Sequence, residues 1–202
     1  MTKDDLLKAI AETGYNVGFG AKKHLATYDL VEKVPGWISF LSMAFGIYAL
    51  AFDGLSTKFL SATFVVLGVV GLYVSFYNNE KEEYEKRAVK LTQLFNQLKA
   101  LYLNTKSEQS QDLSIYISEH QRLETEYYAI CLAKQILFSD WYAHYKLFWQ
   151  HQIEWIDEQK KFKFLRDKVP LSFSVAFISA IVFTFLYRFE VLSLLCSLLN
   201  NG

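Results

Sequence analysis

Charged and uncharged stretches alternate along this chain, and the uncharged ones share one length. Residues 34–52 and 59–77 are each nineteen residues without Asp, Glu, Lys or Arg, and only six residues separate them. A helix rises about 1.5 Å per residue, so each run spans about 28 Å, close to a hydrocarbon core of about 30 Å. Lipid offers no partner to an open backbone N–H or C=O, so runs of this length cross as helices. The pattern predicts a transmembrane helical hairpin over 34–78. A third uncharged run of nineteen, 169–187, contains Pro170 near its start and is followed by Arg188 and Glu190. It predicts a third transmembrane helix over 169–190, with a buried or re-entrant helix as the alternative, and a short apolar tail over 191–202.

The polar stretches carry helical periodicity. In residues 1–33, Leu6, Leu7, Ile10 and Ala11 follow Thr2, a candidate N-cap with Asp5 in its first turn. Gly14, Gly18 and Gly20 interrupt the pattern, so the reading is an amphipathic helix broken by glycines that bring it close to a neighbour. The stretch around Gly18 and Gly20 has neither the preceding strand nor the spacing of a nucleotide loop. In residues 79–168, Tyr84, Ala88, Leu91, Phe95, Leu98 and Tyr102 recur at heptad spacing. A second seam runs Leu123, Tyr127, Ile130, Leu137, Trp141, Phe148 and Trp155, with His120, Lys134, His144 and His151 between. The two seams predict two long antiparallel helices packed like a coiled coil, beside other helices or another subunit.

Their lengths conflict. Residues 79–104 reach about 39 Å, whereas 112–168 as one straight helix would reach about 85 Å. The second arm must bend, break, or run along a neighbour or the membrane surface. Its end, from Trp155 to Arg166, mixes aromatic and basic residues and is a candidate for lying at the membrane interface. The fold class is therefore an all-α membrane protein: a transmembrane hairpin, a long-helix polar region and a third membrane helix.

Charge sets the orientation. Of the 21 Lys and Arg residues, five lie in residues 1–33, fourteen in 79–168, and one each in the hairpin loop and the tail. The positive-inside rule places 1–33 and 79–168 in the cytoplasm, and the hairpin loop and carboxy terminus outside. The formal net charge is zero, so there is no bulk attraction to nucleic acid and none is expected as a partner. Cys131 and Cys196 have no metal-ligand spacing and suggest no disulfide framework.

Small residues form seams on the predicted spans: Ser39, Ser42, Gly46 and Ala49 on the first, Ser61, Gly68, Gly71 and Ser75 on the second, Ser172 and Ser179 on the third. Such seams let membrane helices pack closely; the same seams can also line a pore. Elsewhere the chain lacks the apparatus of an enzyme, because no nucleophile has a base and an orienting group in a local motif. His144 and His151 stand seven residues apart, about 10 Å along a helix, too far to hold one metal. With Trp141 and Tyr145 they are candidate ligand contacts, the alternative being ordinary packing in a helical seam. His24 reads as a polar side chain near the membrane. No metal or organic cofactor is expected.

The order of these parts resembles a known family. A glycine-containing amphipathic entry, residues 15–24, leads into Trp37, a tight two-span hairpin and long polar helices. This resembles the SLATT family over residues 5–165. The resemblance implies a bacterial inner-membrane effector in defence systems that pairs with nucleotide-sensing or nucleotide-synthesising partners. It implies oligomerisation in the bilayer and pore formation or membrane disruption on a nucleotide signal. It supplies no catalytic residue. A non-pore membrane scaffold whose cytoplasmic helices hold a partner protein is the alternative.

Overall fold

The computed structural model describes residues 1–52, 57–131, 134–151 and 153–188, and among these there is no strand. Two units are distinguished, Met1–Lys161 and Phe162–Gly202. The predicted hairpin loop falls largely, and the apolar tail wholly, outside the described residues.

The first unit is built on α1, Lys3–Ala51, a single helix of 49 residues. Thr2 caps it: Asp5 N–H donates to Thr2 Oγ1 at 3.2 Å, and Thr2 N–H donates to Asp5 Oδ2 at 3.1 Å. The helix runs through Gly14, Gly18 and Gly20, and through Pro35. Helix propensity predicted breaks at the glycines; tertiary packing overrides it. One face of α1, including Leu6, Ile10, Val17, Ala21 and Val31, is buried against α3 and the helices after it. That burial outweighs about 1 kcal/mol per glycine.

Helix α2, Thr57–Ser75, returns from the hairpin, and a short 3-10 turn, Asn78–Glu80, leads into α3, Lys81–Ser107. The whole predicted seam of α3, from Tyr84 to Tyr102, is buried. Its main partner is the polar half of α1, however, not a second long arm. The two run antiparallel. Lys3 Nζ donates to the carbonyls of Lys106 and Glu108 at the far end, and Lys81 pairs with Glu32 at 2.5 Å at the near end. Ammonium donors suit the carbonyls that end a helix.

The second arm is broken, which resolves the length conflict. Helix α4, Ser114–Ile130, runs toward the spans; α5, Ser139–Gln150, and α6, Glu154–Lys160, run back along α1. The heptad seam read straight across 123–155 therefore loses register. Leu137 and Phe138 are exposed, and Ile136, Ala143 and Leu147 are buried instead. Trp155 and Ile156, expected at a membrane surface, lie in the core, because the turn before α6 swings them onto α1 and α3.

In the second unit a π-helical turn, Phe164–Lys168, precedes α7, Leu171–Arg188. Lys163 N–H donates to Asp167 Oδ2 at 2.8 Å, and Ser174 N–H donates to Pro170 O at 3.1 Å. No side chain of α7 is buried, as an apolar helix left to lipid requires. Helices long and apolar enough to cross a membrane thus occur at α1, α2 and α7.

Candidate functional site

The base of the span hairpin is tied to the α4–α5 linker by a row of tyrosines. Tyr73, Tyr77 and Tyr84 are four and seven residues apart, a spacing that keeps them on one face of the nearly continuous α2–α3 rod. Leu137 N–H donates to Tyr73 Oη at 3.0 Å, and Tyr77 Oη donates to Gln135 O at 3.3 Å. Tyr84 Oη donates to Lys134 O at 2.9 Å. Arg87 Nη1 reaches Ile130 O at 2.5 Å, placing a cation on the last carbonyl of α4. From α1, Thr27 Oγ1 donates to Gln135 Oε1 at 2.6 Å.

Beneath this row Val31, Val74, Tyr77, Tyr84 and Ile136 form one apolar cluster. Lys134 Nζ stands 4.8 Å from the Tyr77 ring centroid and 4.0 Å from Glu80. Burial pushes the Tyr84 phenol above its ordinary range, with the Glu80 charge adding to the effect, so the hydroxyl stays a donor. The linker ends at Phe138, whose φ of 67° is left-handed and costly for an aromatic residue. Three helices and a strained linker thus meet where the spans begin.

The predicted seams divide. Half-buried positions recur at Ile38, Ser42, Phe45 and Ala49 on α1, and at Leu60, Thr63, Leu67 and Gly71 on α2. A β-carbon on Gly71 would touch Ile38 Cδ1 at 3.7 Å, so this is where the spans meet. Ser39, Ser61, Gly68 and Ser75 are exposed, and Ser39 and Ser75 donate to carbonyls of their own helix at 2.9 and 2.8 Å. A β-carbon at Gly46 or Gly68 would meet nothing within 4 Å. Ser172 and Ser179 are exposed on α7.

The four candidate ligand contacts do not converge. His144 packs edge-on against Phe19 and stacks on Phe148, whereas Tyr145 is exposed beside Tyr142. Trp141 packs on Phe138. His151 lines a cavity of about 310 Å³ with Phe95, Asn96, Lys99 and Gln150. Burial lowers the His151 pKa, and the charges of Lys22 and Lys99 lower it further. Burial also lowers that of Lys22, with Lys146 contributing.

The tyrosine row was missed from sequence because its partners are backbone atoms of a linker read as helix. Also missed was Asp29, which pairs with both Lys146 and Lys33. Burial alone would raise its carboxyl, but hydrogen bonds from the two ammonium groups hold it below the ordinary range. His24, read as a polar side chain near the membrane, is buried, and its Nδ1 lies 2.8 Å from Gly20 O inside the core. Among the described residues no group of three His, Cys, Asp or Glu could hold a metal ion.

Residues 1–177 match the family model described as SMODS and SLOG-associating 2TM effector domain 6. No curated protein matches, and no solved structure does.

Proposed function

The chain belongs to the SMODS and SLOG-associating 2TM effector domains, and from that premise we propose an inner-membrane effector that assembles through its spans and opens the bilayer when its cytoplasmic helices receive a signal. The observation that carries the reading is the open space around Gly46 and Gly68. Within one chain nothing lies within 4 Å of a β-carbon placed at either glycine, which supports the packing of a helix from another copy there. The tyrosine row supplies the path by which the polar helices act on α2. The cavity at His151 supports reception of a phosphate-bearing signal, since Lys99 lines it beside Phe95 and the charge of Lys22 acts on His151. A partner protein that makes or senses a nucleotide would supply that signal.

The test is a membrane-potential dye in cells carrying the activated system. Collapse of the potential supports the effector reading, and intact potential and growth with the protein inserted refute it. Gly46→Leu or Gly68→Leu is expected to weaken assembly while leaving insertion intact, as seen by size analysis in detergent.

One observation favours a second reading, a scaffold that conducts nothing: residues 34–52 and 59–77 hold no charged group to line an aqueous path. Liposomes holding the purified protein separate the two. Ion flux, alone or with a nucleotide, rules out the passive scaffold.

A further inference from the structure

We propose that the α4–α5 linker is a membrane anchor, with Leu137 and Phe138 inserted among the lipids at the cytoplasmic ends of α1 and α2. The occupant of this surface is the bilayer itself. The inference rests on the hairpin crossing a membrane, and it adds a third contact that neither span supplies.

Depth carries the argument. Tyr73 lies within the uncharged run 59–77, four residues, or about 6 Å along the axis, from its end. Leu137 N–H donates to the Tyr73 hydroxyl at 3.0 Å, so the linker backbone reaches the level of the last turn of α2. Tyrosine and tryptophan settle where hydrocarbon meets headgroups. Trp37, 61 % exposed, lies one turn beyond Val34, which packs on the cluster holding Val74 and Tyr77. Trp37, Tyr73 and Tyr77 therefore mark one interfacial belt, and the linker sits on it.

The linker's chemistry fits that level. Leu137 is 60 % exposed and Phe138 53 %, adjacent apolar side chains that a water-facing turn would not favour. Backbone groups near the hydrocarbon must be paired, and here the carbonyls of Lys134 and Gln135 and the amide of Leu137 are paired by tyrosines. The carbonyl of Ile136 accepts from Ser139 N–H at 3.1 Å. The left-handed Phe138 starts α5 at once, so the chain turns back toward water after a single apolar step. Burial of the two side chains in lipid offsets the cost of that conformation.

Spin labelling of the full chain tests this, in vesicles of phosphatidylethanolamine and phosphatidylglycerol. Cys131 and Cys196 are first replaced, and single cysteines are then placed as Leu137→Cys, Phe138→Cys, Val66→Cys and Glu126→Cys. Val66, exposed on α2, reports lipid; Glu126, on the charged face of α4, reports water. Collision with oxygen, which concentrates in lipid, is compared with collision with a water-soluble nickel chelate. At Leu137 and Phe138 the oxygen-to-nickel ratio is expected to exceed that at Glu126 severalfold and to fall below that at Val66. A water-like ratio at both linker sites with a lipid-like Val66 overturns the anchor and leaves the hairpin standing. A water-like ratio at Val66 overturns the hairpin and the anchor together. Leu137→Asp with Phe138→Asp is the second arm, which needs no label on the linker: trypsin cleavage after Lys134 should accelerate severalfold in vesicles and stay unchanged in detergent. Equal acceleration in both media assigns the effect to folding and overturns the anchor.

Discussion

Gly14 of α1 lies directly under the indole of Trp155: a β-carbon there would overlap Cη2 and stand 3.0 Å from Cζ2. One turn on, Gly18 holds the same relation to Phe95, at 2.8 and 2.9 Å. The missing side chains let two large aromatic rings close on the backbone of α1, and this joins α3 and α6 to it.

Gly14→Ala is therefore expected to destabilise the first unit. Alanine gains about 1 kcal/mol of helix propensity. Overpacking a rigid, buried ring typically costs about 1–3 kcal/mol, and a direct overlap belongs at the upper end. Gly36→Ala is the control, since it meets nothing within 4 Å and keeps the propensity gain. Thermal unfolding in detergent should fall for Gly14→Ala and Gly18→Ala but not for Gly36→Ala.

Stability of the same unit should drop in mild acid. His24, 2 % exposed, and His120, 8 % exposed with Nε2 2.9 Å from Thr13 Oγ1, are neutral in the fold. Burial lowers the pKa of both, and the charges of Arg87 and Lys23 add to this at His24. The unfolded chain takes up these protons near the ordinary value of 6.5, while the fold resists them to lower pH. Their contribution is thus complete above that pH and is lost as pH falls from it toward the folded values. The depressed carboxyls of Asp29 and Glu158 act lower, as pH falls through and below their ordinary values of 3.8 and 4.5. Unfolding midpoints at pH 7.5 and pH 5.5 isolate the histidines, and equal midpoints would refute the assignment.

Periodicity made the spans and the α3 stripe legible, because burial in lipid and burial in a helical core both select apolar residues at helical spacing. It misread what α3 packs against. A buried stripe records that Leu91 and Phe95 are covered, and the covering residues, Gly18 and Gly20 among them, sit 70 or more positions earlier. The non-helical segment 134–138 carries no Gly or Pro to announce it. There Tyr73, Tyr77 and Tyr84 pair with backbone groups that a continuous helix would use itself, in competition with it. Such competition leaves no mark on a heptad count.

Removing one hydroxyl from that row tests the competition. Tyr73→Phe leaves the Leu137 amide without its acceptor, and Tyr84→Phe leaves the Lys134 carbonyl without its donor. Each should cost about 0.5–1.5 kcal/mol, more if the freed group stays buried. Amide exchange at Leu137 is expected to accelerate in Tyr73→Phe, while the Leu91–Leu98 stretch of α3 stays protected. Unchanged exchange at Leu137 would mean that the row does not hold the linker.

Topology is the last prediction, since signal reception depends on it. Fourteen of the 21 basic residues lie in 79–168, and five precede residue 34. Three of these basic groups are fixed near the span bases: Lys33 on Asp29, Lys81 on Glu32 and Lys134 over Tyr77. Carrying them outward would oppose the charge bias that orients membrane proteins, with only Lys58 in the hairpin loop to compete. With the native cysteines replaced, Ser107→Cys should react with an impermeant maleimide only from the cytoplasmic side. Ser56→Cys, outside the described residues, should react only from the opposite side. Ser107 ends α3, at the pole of the unit where Lys3 holds the last carbonyls, well away from the bilayer and open to reagent. Labelling of Ser107 from outside would place α3–α6 beyond the reach of any cytoplasmic signal, and the effector reading would fall with it.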